Sequence, residues 1–472
     1  MPGLMAAMTE DLSHLPLVIG AGPAGLAAAE TFVNAGIRPV VMDEAQRPGG
    51  QGTRRLSPRM QPLRERLFGA ASAAAMAERE AREDTILAAC DFRPGVIAWG
   101  AIGDEIALMV DGRLGSVRRG NVVVATGAMD RIFPVPGWTL PGVYALGGAQ
   151  VALKRDASGI GRQVVFAGSS PLLYLAAVQY LRAGCGVAAV LDTTPFASKM
   201  RAVPGMLAGS ARTLLDGARL ILELRRARVP VEMGVTLEEI VGDERVAAIA
   251  YRDAGGAARQ LHCDAVGLGF GLRSEAQLAE LLGADFRYDA AFRQWFPITD
   301  SDGRAGPRLW LAGDGAQIGG AAAAACAGKL AALSVLAEIG GPVSSSAIER
   351  LRRRLVRWQR FQRAMTEAFA TPIDSASRLP DSTVLCRCER VSFGEVRQAI
   401  AATQGPIEVN RVKAITRCGM GRCQGRLCNA ALAELTAQAT GQDLERVGRL
   451  RAQAPIRPIP ASAALAQDAG SR

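Results

Sequence analysis

Two stretches of the chain share one pattern, in which a short apolar run meets a glycine-containing loop, then a helix-like stretch and a second apolar run. The first covers residues 17–42 and the second covers residues 163–191. Short apolar runs bounded by glycine are typical of strands that are buried on both faces of a parallel sheet. This alternation of strands and helices predicts an α/β fold with two Rossmann-like dinucleotide-binding domains.

The remaining apolar runs set the expected domain boundaries. A later strand, 309–312, leads into a Gly-Asp-Gly turn, and apolar residues recur every three to four positions between Ile348 and Met365, as on an amphipathic helix. The predicted division is a first nucleotide domain at 13–130 and 290–343, a second at 131–289, a basic helix and linker at 344–380, a small α-rich cysteine domain at 381–445, and an extended tail at 446–472.

The first glycine loop carries the residues that a dinucleotide site needs. Gly20 allows a tight turn, Gly22 allows the backbone to approach a pyrophosphate, and Gly25 allows close packing of helix on strand. The pyrophosphate then lies at the N-terminus of the next helix, where free N–H groups favour an anion. Asp43 ends the second strand, where it can accept hydrogen bonds from ribose hydroxyls, and Glu44 is the alternative.

The second glycine loop departs from this pattern at two positions. Ser170 and Leu173 stand where the motif requires glycines. A hydroxymethyl group would crowd a pyrophosphate, and a leucine would push the helix away from the strand. We therefore predict that this loop has a structural role and binds no NAD(P)H.

Five of the nine cysteines lie close together near the C-terminus, with no histidine beside them: Cys386, Cys388, Cys418, Cys423 and Cys428. Clustered thiolates favour an iron–sulfur centre, and a four-cysteine zinc site is the alternative. The predicted ligands are Cys386, Cys388, Cys423 and Cys428. Cys418 is the spare or an alternative to Cys423, because each is followed five residues later by another cysteine.

Composition and charge exclude several other classes of protein. The 472 residues carry a net charge of +10, but no nucleic-acid recognition fold accompanies it. No export signal or spanning apolar run is evident, so we expect a cytoplasmic protein with reduced cysteines. The arginine-rich stretch after residue 349 is interpreted as a solvated face, with a docking surface for a partner subunit or for an anionic inner membrane as the alternative.

The nucleotide motifs resemble those of the two-dinucleotide-binding flavoproteins, which include the pyridine nucleotide–disulphide oxidoreductases. The resemblance rests on the first glycine loop and the late Gly-Asp-Gly turn. It implies FAD in the first site, with the late aspartate on the ribityl chain. The implied FAD-binding residues are Gly20, Gly22, Pro23, Ala24, Gly25, Asp43, Glu44, Gly50, Gln51, Ala125, Thr126, Gly127, Gly313 and Asp314. Disulfide reduction is not expected, since neither nucleotide unit holds a cysteine pair.

The cysteine segment resembles the bacterioferritin-associated-ferredoxin-like (BFD-like) [2Fe–2S] domain. Nearly the whole chain resembles the α subunits of heteromeric amine dehydrogenases, namely opine oxidases, dye-linked proline and D-hydroxyproline dehydrogenases, and hydrogen cyanide synthase. This wider resemblance rests on the combination of the two modules and on the motifs at residues 139–143 and 419–426. This resemblance implies a flavoprotein β subunit that oxidises an amino acid or opine, and it allows an interface FMN and a small ferredoxin-like γ subunit. No catalytic acid or base is predicted in this chain. The alternatives are a self-sufficient NAD(P)H-dependent reductase and a zinc-stabilised scaffold subunit.

Overall fold

The protein is described by a computed structural model over residues 9–372 and 375–463. The strands are β1 (Thr9–Leu12), β2 (Leu17–Ile19), β3 (Val40–Asp43), β4 (Asp91–Pro94), β5 (Val96–Ile102), β6 (Glu105–Val110), β7 (Arg113–Arg119), β8 (Val122–Val124), β9 (Ala128–Asp130), β10 (Val143–Ala145), β11 (Val164–Gly168), β12 (Val187–Asp192), β13 (Val231–Met233), β14 (Thr236–Val241), β15 (Ala248–Arg252), β16 (Ala258–His262), β17 (Ala265–Gly269), β18 (Leu272–Ser274), β19 (Phe286–Asp289), β20 (Gln294–Pro297), β21 (Arg304–Gly306), β22 (Leu309–Leu311), β23 (Val384–Cys386) and β24 (Val391–Ser392). The α-helices are α1 (Pro23–Asn34), α2 (Arg64–Phe68), α3 (Ala70–Ala88), α4 (Leu146–Asp156), α5 (Leu172–Ala183), α6 (Phe196–Arg226), α7 (Gln277–Leu281), α8 (Gly320–Glu338), α9 (Ser345–Ala368), α10 (Ser375–Arg378), α11 (Phe393–Ala402), α12 (Val409–Thr416), α13 (Asn429–Thr440) and α14 (Leu444–Val447).

The first nucleotide domain is built on a six-stranded sheet in the order β21-β22-β8-β2-β3-β4. Its strands are parallel except for the antiparallel pair β21–β22. One face packs against α1 and α8, and the other contacts the sheet β1-β7-β6-β5. Helix α1 begins at Pro23, because proline is well suited to the first helical position.

Helix α8 lies in the core of this domain. Among the residues with described structure, it is the one helix long and apolar enough to cross a bilayer, and half of its apolar window is buried. Its Lys329 forms an ion pair of 3.1 Å with Glu30 of α1. The helix therefore packs inside the domain as a core helix does.

The second domain has the parallel sheet β10-β17-β11-β12-β13 and the antiparallel sheet β14-β15-β16. Helix α5 (Leu172–Ala183) provides the helical part of the second unit predicted at 163–191. The long helix α6 follows β12, has a non-helical residue at Ser210, and packs against α9. The α/β class with two dinucleotide-binding domains is confirmed.

The C-terminal segment folds as a small helical domain and then returns to the first domain. The hairpin β23–β24 and helices α11 to α14 surround the cysteines. Beyond α14 the chain is extended, and the Ile456 N–H donates to the Trp99 carbonyl at 2.8 Å. The described part of the predicted tail is thus packed on the first domain, with Ile456 buried in its core.

Candidate cofactor sites

The glycines of the first loop occupy three different environments. A Cβ atom on Gly20 would lie 2.3 Å from the Ala125 carbonyl oxygen, and one on Gly25 would lie 1.7 Å from the Gly20 carbonyl oxygen. A Cβ atom on Gly22 would meet only the Cα of Gly50, at 3.8 Å. Packing within the protein therefore requires two of the glycines. At Gly22 the protein leaves space, which fits the close approach of a pyrophosphate to the backbone.

The carboxylate of Asp43 is fixed at the end of β3. It accepts hydrogen bonds from the N–H groups of Ala21 at 2.5 Å and Ala45 at 2.7 Å. Burial raises its pKa above the ordinary aspartate value. Each oxygen has a further lone pair, so the group can still accept from a ribose hydroxyl. Glu44, the alternative, is instead half exposed and pairs with Arg457 of the tail at 2.9 Å.

The later flavin-type residues meet at the carboxyl ends of β8 and β22. Ala125, Thr126 and Gly127 follow β8, and Gly313 and Asp314 form a 3-10 turn after β22. The carboxylate of Asp314 accepts from the N–H groups of Gly319 at 2.8 Å and Gly320 at 2.9 Å, and burial raises its pKa. The structure thus brings the predicted residues together at the edge where parallel sheets bind nucleotides.

Gly50 and Gln51 differ in how closely they approach this site. A Cβ atom on Gly50 would lie 3.0 Å from the Cα of Gly22, so the two loops touch. Gln51 is exposed and accepts a hydrogen bond from Arg54 at 2.7 Å. Gly50 therefore lies against the nucleotide loop, and the roles of both residues in binding stay predictions.

The second nucleotide loop is filled by the protein's own side chains. Asp192 ends β12 as Asp43 ends β3, but it is fully buried. The Tyr174 hydroxyl donates to it at 2.6 Å, and Lys199 pairs with it at 2.9 Å. The Lys199 ammonium also lies 4.8 Å from the centre of the Phe369 ring. A ribose cannot reach this carboxylate without displacing these groups, which disfavours a nicotinamide nucleotide here.

The five C-terminal cysteines form one cluster of sulfur atoms. The thiols of Cys386, Cys418 and Cys428 are buried and lie within 4.8 Å of one another. Cys388 contacts Cys423, and its thiol hydrogen-bonds to that residue. The four predicted ligands are therefore brought together as two pairs, and Cys418 lies beside the pair Cys386–Cys428.

Several hydrogen bonds converge on one sulfur atom of this cluster, that of Cys386. The thiols of Cys418 and Cys428, with the backbone N–H groups of Gly419 and Glu389, lower the pKa of Cys386 to about 2. Gly419 has φ +91°, and a Cβ atom on Gly421 would lie 2.4 Å from the Cβ of Cys388. The glycines thus let the backbone approach the sulfur atoms closely. An all-sulfur donor set with N–H donors suits an iron–sulfur cluster.

One segment joins the cysteine loop to the flavin-type site, and the sequence did not indicate it. Arg273 donates to the carbonyl oxygens of Gly425 and Arg426, both at 3.1 Å. Arg426 pairs with Glu275 through two hydrogen bonds of 2.6 and 3.0 Å. The Glu275 carbonyl in turn accepts from the Thr126 hydroxyl at 2.5 Å. The two candidate cofactor sites are therefore neighbours.

A cavity of about 860 Å³, including its open mouth, lies at this junction. Its lining includes Arg131, Arg273 and Trp295 from the nucleotide domains and Gly425 from the cysteine loop. Burial lowers the pKa of Arg131 to about 10. Four arginines and two glutamates line the cavity, so its charge is positive on balance, and Trp295 provides an aromatic side chain in its wall.

Comparison with known proteins agrees with both sites. Residues 16–329 match the pyridine nucleotide–disulphide oxidoreductase family, and residues 384–438 match the BFD-like [2Fe–2S] binding domain. The chain belongs to the pyridine nucleotide–disulphide oxidoreductase family. FAD and a [2Fe–2S] cluster are therefore its cofactors, and the zinc alternative is not supported.

Similar proteins match nearly the whole chain. The A component of the opine oxidase from Agrobacterium tumefaciens is 36% identical over 94% of this chain and 90% of its own length. Hydrogen cyanide synthase subunit HcnB of Pseudomonas aeruginosa is 32% identical over 95% of this chain and 97% of its own length. The crystal structure of L-proline dehydrogenase from P. horikoshii has the same fold, with a TM-score of 0.70 at 18% identity, covering 96% of this chain and 80% of that one. The protein is a flavin- and iron–sulfur-containing oxidoreductase subunit of this family.

Proposed function

We propose that this chain is the electron-transferring α subunit of a flavin-dependent dehydrogenase or oxidase that acts on an amino acid or an opine with a secondary amine. The single observation that carries the proposal is the chain of contacts from Thr126 through Glu275 to Arg426, because it holds the two cofactor sites side by side. When bound, FAD supplies two-electron chemistry and the [2Fe–2S] cluster supplies one-electron transfer. Related chains are named as subunits, which supports a partner.

The contacts of the protein's own residues support these positions and disfavour another electron source. Gly22, Asp43 and Asp314 hold the nucleotide, and the clustered cysteines hold the metal centre. Tyr174 and Lys199 are bonded to the Asp192 carboxylate, which the ribose of a nicotinamide nucleotide would need as an acceptor. Electrons are therefore proposed to come from a partner flavoprotein, which carries the amine site, and not from NAD(P)H.

Several finer points belong to the same proposal. An FMN at a subunit interface is proposed on the family resemblance. A small ferredoxin-like γ subunit is proposed on the resemblance alone. A cytoplasmic location is proposed because thiolate ligands of a cluster are favoured in a reducing compartment.

The proposal is tested on the native complex. Purification through a tag on the full chain, followed by counts of iron, sulfide, FAD and FMN, establishes the composition. Under anaerobic conditions we expect proline, hydroxyproline or an opine to bleach the flavin absorbance of the complex and to produce the electron paramagnetic resonance signal of a reduced cluster. NADH and NADPH should do neither. Rapid bleaching by NADH, or amine oxidation at a normal rate by the isolated chain, would contradict the proposal.

A further inference from the structure

Helix α6 presents large apolar side chains to solvent along its whole length. In the described part of the chain, 13 large hydrophobic residues are exposed, and α6 supplies five of them: Phe196 (61%), Met200 (51%), Leu207 (50%), Leu215 (58%) and Leu222 (47%). On each side of Ser210 these residues follow helical spacing, together with exposed Pro204, Ala211 and Ala218. The inward face is also apolar, with Met206 and Leu224 buried. Two apolar faces on one helix indicate that the outer one has a partner.

Helix α9 packs beside α6 and surrounds this apolar surface with positive charge. Phe361 packs onto Gly209, and the Arg357 side chain donates to the Gly209 carbonyl at 2.7 Å. Eight exposed arginines of the two helices form no ion pair with any residue that the structure describes: Arg201, Arg212, Arg225, Arg226, Arg350, Arg353, Arg354 and Arg360. We call the exposed surface of α6 and α9 the α6–α9 face.

Helix α9 also contacts the segment that follows the flavin-type turn. The Gln359 side chain on α9 donates to the Gln317 side chain at 3.2 Å. Gln317 lies two residues beyond the Gly313–Gly315 turn, and its N–H donates to the Gly313 carbonyl at 3.1 Å. A protein that binds on this face therefore contacts the helix that lines the flavin turn.

We propose that the α6–α9 face binds the partner flavoprotein subunit, and that the partner presents an apolar helix or ridge bordered by Asp and Glu side chains. This inference rests on the proposed function, which requires such a partner. An apolar centre with arginines around it is the composition of protein–protein interfaces. Unpaired arginines select carboxylates on the partner and steer its approach. A lipid surface fits the same charges, but it gives no reason for the contact between α9 and the flavin turn.

The test places charge in the centre of the face. The double substitution Leu207→Glu/Leu215→Glu alters two exposed side chains, so the fold should tolerate it. The matched control is Ile102→Glu/Val110→Glu, which makes the same change at two exposed apolar residues of β5 and β6 (54% and 41% exposed). Both variants and the native protein are purified through a tag on the full chain. The flavoprotein subunit that co-purifies is identified by mass spectrometry and by its amine-dependent activity. We expect Leu207→Glu/Leu215→Glu to lower the bound flavoprotein by at least about tenfold, with FAD and iron per chain unchanged, and the control to keep it.

Each other outcome identifies which idea has failed. If the variant keeps the flavoprotein, the α6–α9 face is not the docking surface, whereas the proposed function stands. If the native chain purifies without any flavoprotein, the proposed function fails and this inference fails with it. The native complex is also mixed with phosphatidylglycerol vesicles. Vesicle binding that Leu207→Glu/Leu215→Glu abolishes, while the subunits stay together, would assign the face to a membrane and overturn the inference.

Discussion

Arg426 and Glu275 form a two-point ion pair between the cysteine loop and the segment that touches the flavin-type site, with N···O distances of 2.6 and 3.0 Å. Their side chains are only 11% and 6% exposed. The backbone carbonyl of the same glutamate accepts the Thr126 hydroxyl. One residue thus contacts both sites, which fixes their spacing more firmly than a flexible linker between domains could.

Breaking this pair should destabilise the protein strongly. Replacing Glu275 by alanine removes the carboxylate that balances the charge of the buried Arg426 guanidinium, and we expect a loss of about 3 kcal/mol in the free energy of unfolding. Urea denaturation measures it. The control is Glu238→Ala, which removes the partner of Arg252 from a pair that is 37% and 52% exposed, and it should cost less than about 1 kcal/mol. Equal effects of the two substitutions would contradict the structural role of the Arg426–Glu275 pair.

The local features of the sites were predictable from sequence, and the contacts between distant segments were not. Gly20, Gly22 and Gly25 act within one loop, so their spacing carries the information. Glu275 lies 151 residues from Arg426, and no periodicity relates the two. Likewise Ser170 and Leu173 indicated an altered second loop. The closure of that loop by the Lys199 side chain depends on tertiary packing, which local patterns do not encode.

The three glycines of the first loop should respond differently to a methyl group. Gly22→Ala places its Cβ in open space, 3.8 Å from the nearest atom, so the protein should fold while FAD binding falls. Gly25→Ala places its Cβ 1.7 Å from the Gly20 carbonyl oxygen, so this variant should be unstable. The measurements are bound FAD per chain and the thermal unfolding midpoint, with iron content as an internal control. A Gly22→Ala protein that retains full FAD would show that the pyrophosphate does not approach this residue.

Asp130 should make stability depend on pH. Burial raises its pKa to about 6, although the N–H groups of Gly147 and Gly148 donate to it. The folded protein therefore binds this proton more tightly than the unfolded chain does, so the contribution of Asp130 to stability falls as pH rises from about 4 to about 6. Asn keeps an oxygen acceptor for those N–H groups but does not titrate. Between about pH 5 and about pH 7.5, the free energy of unfolding of Asp130→Asn should rise by about 1.5 kcal/mol relative to that of the native protein. Urea denaturation at a series of pH values measures this difference. A pH-independent difference between the two proteins would refute this assignment.

Cys418 and Cys423 should differ as ligands of the cluster, although both lie within it. Each of the two irons takes two thiolates. Cys423 contacts Cys388, whereas Cys418 is a third sulfur beside Cys386 and Cys428. Cys423→Ser should therefore abolish the visible absorbance and the iron content of the cluster, while Cys418→Ser should keep both. Bound FAD serves as the control for folding in each variant. Loss of the cluster in Cys418→Ser together with its retention in Cys423→Ser would reverse the assignment and make Cys418 the ligand.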